Sequence, residues 1–169
     1  NCEQVNLYLN GETIGTQYLK DQPDRIFKWA LPFEEGDLRV EGINAAGEVC
    51  EDAISTAGEA MGMSISADVS KINANMYDVV HIEVQLLDTN KNPVRYEEER
   101  VSFVVEGECK ILGVDNGAAD NVQDYQSDTL MTSQGRAMLI LQARKEKSVI
   151  EVYAKTEDYR SATISIAIV

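Results

Sequence analysis

The chain has 169 residues, of which 44% are hydrophobic and 26% charged, a composition that folds rather than one that stays disordered. Twenty-nine acidic residues against fifteen basic ones leave a formal charge of −14, which repels nucleic-acid phosphates and anionic lipid and argues against both as partners. No apolar run approaches the roughly 18 residues needed to cross a bilayer, so no membrane span is expected, and no basic segment followed by an apolar stretch marks a signal peptide.

The chain opens at Asn1-Cys2 without Met and within a few residues of its first strand, the expectation for a piece of something longer. Val5, Leu7 and Leu9 alternate with Asn6, Tyr8 and Asn10, which is the period of a half-buried strand. Asn10-Gly11 supplies the positive φ angles of a type I′ turn, and Thr13 to Tyr18 returns as the partner strand. After a loop around Pro23, Ile26 to Leu31 places Phe27, Trp29 and Leu31 on one face and is expected to be a strand with Trp29 in the core. Pro32 ends it, Glu34-Glu35-Gly36 turns the chain, and Leu38 to Gly42 and Val49 to Ile54 complete about five strands.

Thr56 to Gly62 is small, partly Gly-rich and without periodicity, and reads as a linker between two modules. The expected domains are residues 1–58, a small β-sandwich module lacking its first strand if upstream residues supply one, and residues 59–169, a larger sandwich. Four basic residues against eleven acidic ones up to Gly58, and eleven against eighteen beyond it, give each part seven net negative charges.

In the second region Met63 to Ala67 is followed by Val79 to Leu87, where Val80, Ile82, Val84 and Leu86 face inward and His81, Glu83 and Gln85 outward. Asp88 to Val94 is a turn cluster. Val101 to Val105, a short Lys110 to Val114, Arg136 to Ala143, Val149 to Lys155 and Ala162 to Ile168 complete about seven strands, the count of an immunoglobulin-like sandwich. Asp115 to Gly135 is the longest irregular piece and the expected place for a functional loop. The fold class is therefore all-β, two immunoglobulin-like β-sandwich domains in tandem.

The residues offer little for catalysis. His81, the single histidine, sits on the solvent side of a strand, whereas catalytic groups gather on loops. Glu34-Glu35, Glu51-Asp52 and Glu97-Glu98-Glu99 are pairs or runs of neighbours; adjacent strand residues point to opposite faces and cannot flank one substrate, so solvated turns and edges are expected. The loop Val114 to Asp124 carries an oxygen-rich set of the kind calcium takes, but its spacing is not that of an EF-hand and turn chemistry accounts for it. No metal or cofactor is expected. For sugar stacking, Tyr8, Tyr77, Tyr96, Tyr125 and Tyr159 are the partly exposed aromatics, with Tyr125 in the long loop. Cys2, Cys50 and Cys109 fit neither a disulfide framework nor a zinc site; they read as inert buried thiols, or with Cys2 bridged to Cys50 between the first and last strands of one module.

"LYLNGETIG" (Leu7 to Gly15) resembles the L-F-L-N-G-x-x-x-G hairpin of the small β-sandwich module that follows the catalytic barrel in bacterial family 2 glycoside hydrolases of the β-galactosidase type. Lys28 to Glu59 resembles its continuation, W-x-x-P-[FY]-x-x-G-x-L with a later Gly and a closing T-x-G. "SADVSKINANMYDVVHIEVQLLDTNKNPV", "VSFVVEGECKILGVDNG" and "GRAMLILQA" resemble the immunoglobulin-like, invasin-type domain that comes next in the same enzymes. Glu35 departs from a frequent proline, and Ala118-Ala119-Asp120 from the usual G-D-P.

The resemblance implies a non-catalytic C-terminal accessory region of a secreted, periplasmic or extracellular bacterial family 2 enzyme. Its partner would be the catalytic barrel of the same parent chain, which it would support at the substrate-cleft rim or at oligomer contacts. In such enzymes the acid and nucleophile glutamates belong to a (β/α)₈ barrel of about 250 residues, so no catalytic residue carries over to this chain. Two other readings stay open: a carbohydrate-binding module that grips oligosaccharide or polysaccharide, and an adhesin-like tandem that contacts proteins.

Overall fold

Strands carry almost all of the regular structure in the computed structural model, which describes residues 2–169. The chain divides into two compact units, Asn1–Thr56 and Ala57–Val169. Among the described residues no helix is long and apolar enough to cross a membrane.

The first unit is one antiparallel sheet of β1 (Gln4–Leu9), β2 (Glu12–Tyr18), β3 (Asp37–Ile43) and β4 (Val49–Ser55), in the order β2-β1-β3-β4, with a 3-10 turn at Leu19–Asp21. Asn10 at φ 52° and Gly11 at φ 83° form the expected hairpin turn, and a bulge at Leu7/Tyr8 leaves Ile14 as the extra residue of β2. Register divides the sheet cleanly into two faces. Val5, Leu7 and Leu9 line up with Gly42, Val40 and Leu38, and these with Cys50, Asp52 and Ile54. The opposite face is polar: Asn6 is buried but satisfied, its Oδ1 accepting from Gln4 Nε2 at 3.0 Å and Thr16 Oγ1 at 2.8 Å while its Nδ2 donates to Glu41 Oε1 at 2.9 Å. Arg39 lies 4.1 Å over the Tyr8 ring and bonds Glu51 Oε1 at 2.9 Å, finishing that face.

One expected element is absent from this unit. Ile26 to Leu31 is not a strand but part of an irregular strap between β2 and β3. Its backbone is satisfied by a side chain instead of a ladder: Gln17 donates through Nε2 to Lys28 O at 2.7 Å and accepts from Lys28 N at 3.4 Å. Phe27 and Trp29 stack with centroids 6.5 Å apart, and the Trp29 indole nitrogen lies over Gly15 on the apolar face, where a Cβ at 15 would approach it to 3.7 Å. Trp29 is half-buried rather than a core residue. The second layer of this small unit is thus a strap across part of one sheet face.

The second unit is a two-sheet sandwich. One sheet has the order β5-β7-β11-β9, from β5 (Gly62–Ala67), β7 (Val79–Leu87), β11 (Arg136–Ala143) and β9 (Cys109–Asp115). The other has the order β10-β8-β12-β13-β6, from β10 (Thr129–Met131), β8 (Arg100–Glu106), β12 (Ser148–Lys155), β13 (Ile164–Ile168) and β6 (Lys71–Ile72), the last pairing parallel to β13. Strict alternation builds the core between them: Val80, Ile82, Val84 and Leu86 from β7, Leu139 and Leu141 from β11, Val101 and Phe103 from β8, Ile150 and Val152 from β12, Ile166 and Ile168 from β13. Each such side chain contributes about 1.5–3 kcal/mol on leaving water, so most of the hydrophobic stabilisation lies in this unit, whereas the first buries little beyond Val5 and Leu7.

Two expectations are corrected here. Gln85, expected outward, is buried, because the chain at Asn92 to Val94 folds back over it. The long irregular piece from Asp115 holds β10, which pairs with β8. The division between the units falls at Thr56/Ala57, within the stretch read as a linker, and Ala57 to Met61 is bonded into the second unit: Gly58 N donates to Asp88 Oδ2 at 3.0 Å, Ala60 N to Glu97 Oε1 at 3.1 Å and Met61 N to Leu87 O at 2.8 Å.

Candidate functional site

The apolar face of the first unit is where this chain leaves most unfinished. Leu38 and Ile54 lie side by side on β3 and β4, flanked by Leu9, and the strap brings Leu31, Pro32 and Phe33 against them. Together they line a groove of about 450 Å³, continued along the sheet by a depression of about 270 Å³ over Leu7 and Val40. Phe33 is 83% exposed and Ile54 66% exposed, values far from those of core residues. Local chemistry holds the groove open. Asn10 Nδ2 donates to Glu34 Oε1 and to Glu35 O, both at 3.1 Å, and Asn10 Oδ1 accepts from Asp37 N at 2.9 Å. Gly36, at φ 136°, presses so close to that side chain that a Cβ would fall 1.7 Å from Asn10 Oδ1. Thr56 closes the other rim, its N donating to Gly36 O at 2.9 Å while its Oγ1 accepts from Gly36 N at 3.0 Å.

The acidic runs separate as strand geometry requires. Glu51 lies on the polar face with Arg39, and Asp52 on the apolar face beside Val40. Glu34 and Glu35 sit in the turn held by Asn10, and Glu97 to Glu99 precede β8 without regular structure, with Glu99 N donating to Thr132 Oγ1 at 2.9 Å. His81, half-exposed on β7, has its Nδ1 2.8 Å from Asp68 Oδ2, and its backbone N donates to Asp68 Oδ1 at 3.0 Å. Partial desolvation works against the Asp68 charge, but the two His81 contacts outweigh it and hold that carboxyl below the usual carboxylate range.

In the Val114 to Asp124 loop, the side-chain oxygens of Asp115, Asn116 and Asn121 accept from the loop's own donors. Asp115 Oδ1 accepts from Asn116 N at 2.8 Å, Gly117 N at 3.3 Å and Asn121 Nδ2 at 3.1 Å, and Asn121 Oδ1 accepts from Gln123 N. The Tyr125 hydroxyl donates to Asn121 O at 2.8 Å. Among the described residues no three His, Cys, Asp or Glu side chains converge as a metal set. Tyr77 and Tyr96 are exposed, whereas Tyr8 is half-covered by Arg39.

The structure does bring two cysteines together: Cys2 and Cys50 have their sulfurs 3.6 Å apart. The hydrogen bond between them, with burial, raises the Cys2 thiol above its ordinary pKa. Cys109 on β9 stands apart, its thiol also pushed up by burial. The groove itself escaped the sequence reading, since alternation announces an apolar face but not what covers it.

Comparison with known proteins supplies the context. Residues 63–165 match the model of Glycoside hydrolase family 2 C-terminal domain 5, and residues 1–51 that of Domain of unknown function (DUF4982). The beta-galactosidase BoGH2A of Bacteroides ovatus is 26% identical over 166 residues, covering 98% of this chain and 19% of its own length. A beta-galactosidase of Thermoanaerobacter pseudethanolicus is 29% identical over 132 residues, covering 67% of this chain and 17% of its own. A crystal structure of a glycosyl hydrolase family 2 member from Bacteroides cellulosilyticus superposes with a TM-score of 0.89 at 30% identity, over 100% of this chain and 22% of that one. The chain spans 14–19% of the length of the curated relatives it matches.

Proposed function

The chain belongs to the glycoside hydrolase family 2 C-terminal domain 5 family, and from that premise we propose that it is a non-catalytic accessory region bracing the catalytic part of a β-galactosidase-like parent enzyme. The observation that carries this reading is the groove at Leu31, Phe33, Leu38 and Ile54. A unit of this size buries little on its own and leaves an apolar sheet face half-covered, and a protein neighbour over that face would complete its core. The neighbour assigned is the catalytic barrel of the same parent, which the accessory region supports near the rim of the substrate cleft. The second unit is an immunoglobulin-like sandwich with a core complete in itself, and the parent works in the periplasm or outside the cell.

The groove is walled mainly by Leu, Pro and Ile with a single aromatic, and its polar residues Glu34, Ser55 and Thr56 are bonded to Asn10, Asp37 and Gly36 of the same unit, which suits protein side chains better than a pyranose, whose ring needs polar groups around it as well as a flat face to stack on. The test is the double variant Phe33→Ser, Ile54→Asp in the parent enzyme, followed by calorimetric melting and by hydrolysis of a chromogenic β-galactoside. A lowered melting transition of the catalytic part is expected. Unchanged melting and hydrolysis would refute the bracing role, and calorimetric binding of galacto-oligosaccharide lost in the same variant would transfer the groove to carbohydrate.

A further inference from the structure

Gly42 is a glycine without a backbone reason to be one. It sits inside β3, paired with Val5 on one side and Cys50 on the other, and its φ is not in the left-handed region, so any residue could take its conformation. Glycine inside a strand weakens it, and its usual justification is the close approach of another group. Here that group is a pair of sulfurs. A Cβ at position 42 would lie 2.4 Å from Cys2 Sγ and 3.1 Å from Cys50 Sγ. The missing side chain is the space in which the two thiols meet, above the middle strand of three, 3.6 Å apart and 48 positions apart in sequence.

We propose that Cys2 and Cys50 are an oxidisable pair that closes into a disulfide across Gly42, stapling the start of the first unit to its last strand. Closure shortens the sulfur separation by about 1.6 Å to the covalent length, a movement within reach of side-chain rotation. The oxidant is a small-molecule or protein disulfide. Cys50, the more exposed of the two, attacks it as the thiolate and forms a mixed disulfide, expelling one thiolate; Cys2, on losing its proton, attacks the Cys50 sulfur and expels the second. Two protein thiols become one disulfide while the oxidant is reduced to two thiols, so electrons and protons balance. The staple matters because this unit has so few buried side chains; closing so long a loop lowers its unfolding constant about a thousandfold in the chain-entropy account. The proposal stands independently of what covers the apolar groove.

The chain is incubated in a glutathione redox buffer, alkylated, and mapped by mass spectrometry without reduction. The expected result is a peptide bearing Cys2 linked to one bearing Cys50, a mass about 2 Da below the reduced chain, and Cys109 as the only alkylated cysteine. Thermal melting of the oxidised chain then moves upward, and Cys50→Ser abolishes that shift. Three alkylated cysteines in a chain that retains its strand circular dichroism would overturn the proposal, as would a bridge to Cys109. Gly42→Ala slows closure at least tenfold if the clearance argument holds; closure at the wild-type rate in the folded variant would refute it. If that variant does not fold, the wild-type map decides alone.

Discussion

Replacing Gln85 with alanine separates what strand periodicity predicts from what the fold does. Alternation along β7 puts Gln85 on the solvent side, where truncation would cost no more than about 0.5 kcal/mol. The structure makes it a buried junction instead: Nε2 donates to Leu86 O at 3.2 Å, Val94 O at 3.0 Å and Gly135 O at 3.3 Å, and Oε1 accepts from Arg136 Nε at 3.0 Å. Not all four bonds count equally. Leu86 O also accepts from Val94 N, and Gly135 O from Leu86 N, so both keep a partner when the side chain is lost. Arg136 is half-exposed and water replaces its bond. Val94 O is the group left buried and orphaned, a cost of about 1–3 kcal/mol, to which the small void adds about 1 kcal/mol. The total of about 2–4 kcal/mol corresponds to a fall of roughly 10–15 °C in the melting of the second unit. Differential scanning calorimetry of Gln85→Ala beside Glu83→Ala, an exposed neighbour on the same strand, is the assay. A Gln85→Ala transition within about 1 °C of wild type would refute the reasoning.

Two further outcomes follow from the turns. Asp88 is held below the usual carboxylate range first by the Gly58 N–H and then by Asn92 and Asn90, against partial desolvation, and Asp78 and Asp115 are lowered by their own asparagine hydrogen bonds. A lowered folded pKa gives stability that is complete above the unfolded value near 3.9 and lost as pH falls through the folded one. Asp88→Asn should therefore melt below wild type at pH 7, with the gap narrowing as pH falls from the unfolded value through the lower folded one; a gap that does not change with pH across the acid range would contradict the assignment. Because Asp115 Oδ1 is already bonded to donors of its own loop and no three acidic side chains converge there among the described residues, millimolar calcium should leave the melting temperature unchanged, and a saturable rise would contradict that account.

Much of this architecture was legible because periodicity reports burial directly. The Asn10-Gly11 hairpin and the long strands at Val79 to Leu87, Arg136 to Ala143 and Ser148 to Lys155 follow from alternation bounded by turn residues. Ile26 to Leu31 misled because Phe27, Trp29 and Leu31 alternate equally well in an irregular strap, where the Gln17 side chain replaces the ladder. β6 has two residues and a partner at the far end of the chain, and β10 has three within a Ser- and Asp-rich stretch, so neither offers a period to detect. Gln85 is buried on its outward face because the chain at Val94 and Gly135 covers it, a tertiary event that no local pattern carries. The same holds for the candidate site. The cysteines at positions 2 and 50 were visible as the two ends of a module, but the clearance at Gly42 that joins them is a matter of register, and the groove depends on where the strap stops covering the sheet.

The bracing role is tested most directly by isothermal titration of this chain into the remainder of its parent enzyme, expressed without it. Saturable binding with a negative heat-capacity change is predicted, weakened at least tenfold by Ile54→Asp in the groove. Absence of binding between two folded partners, or affinity indifferent to that substitution, would contradict it.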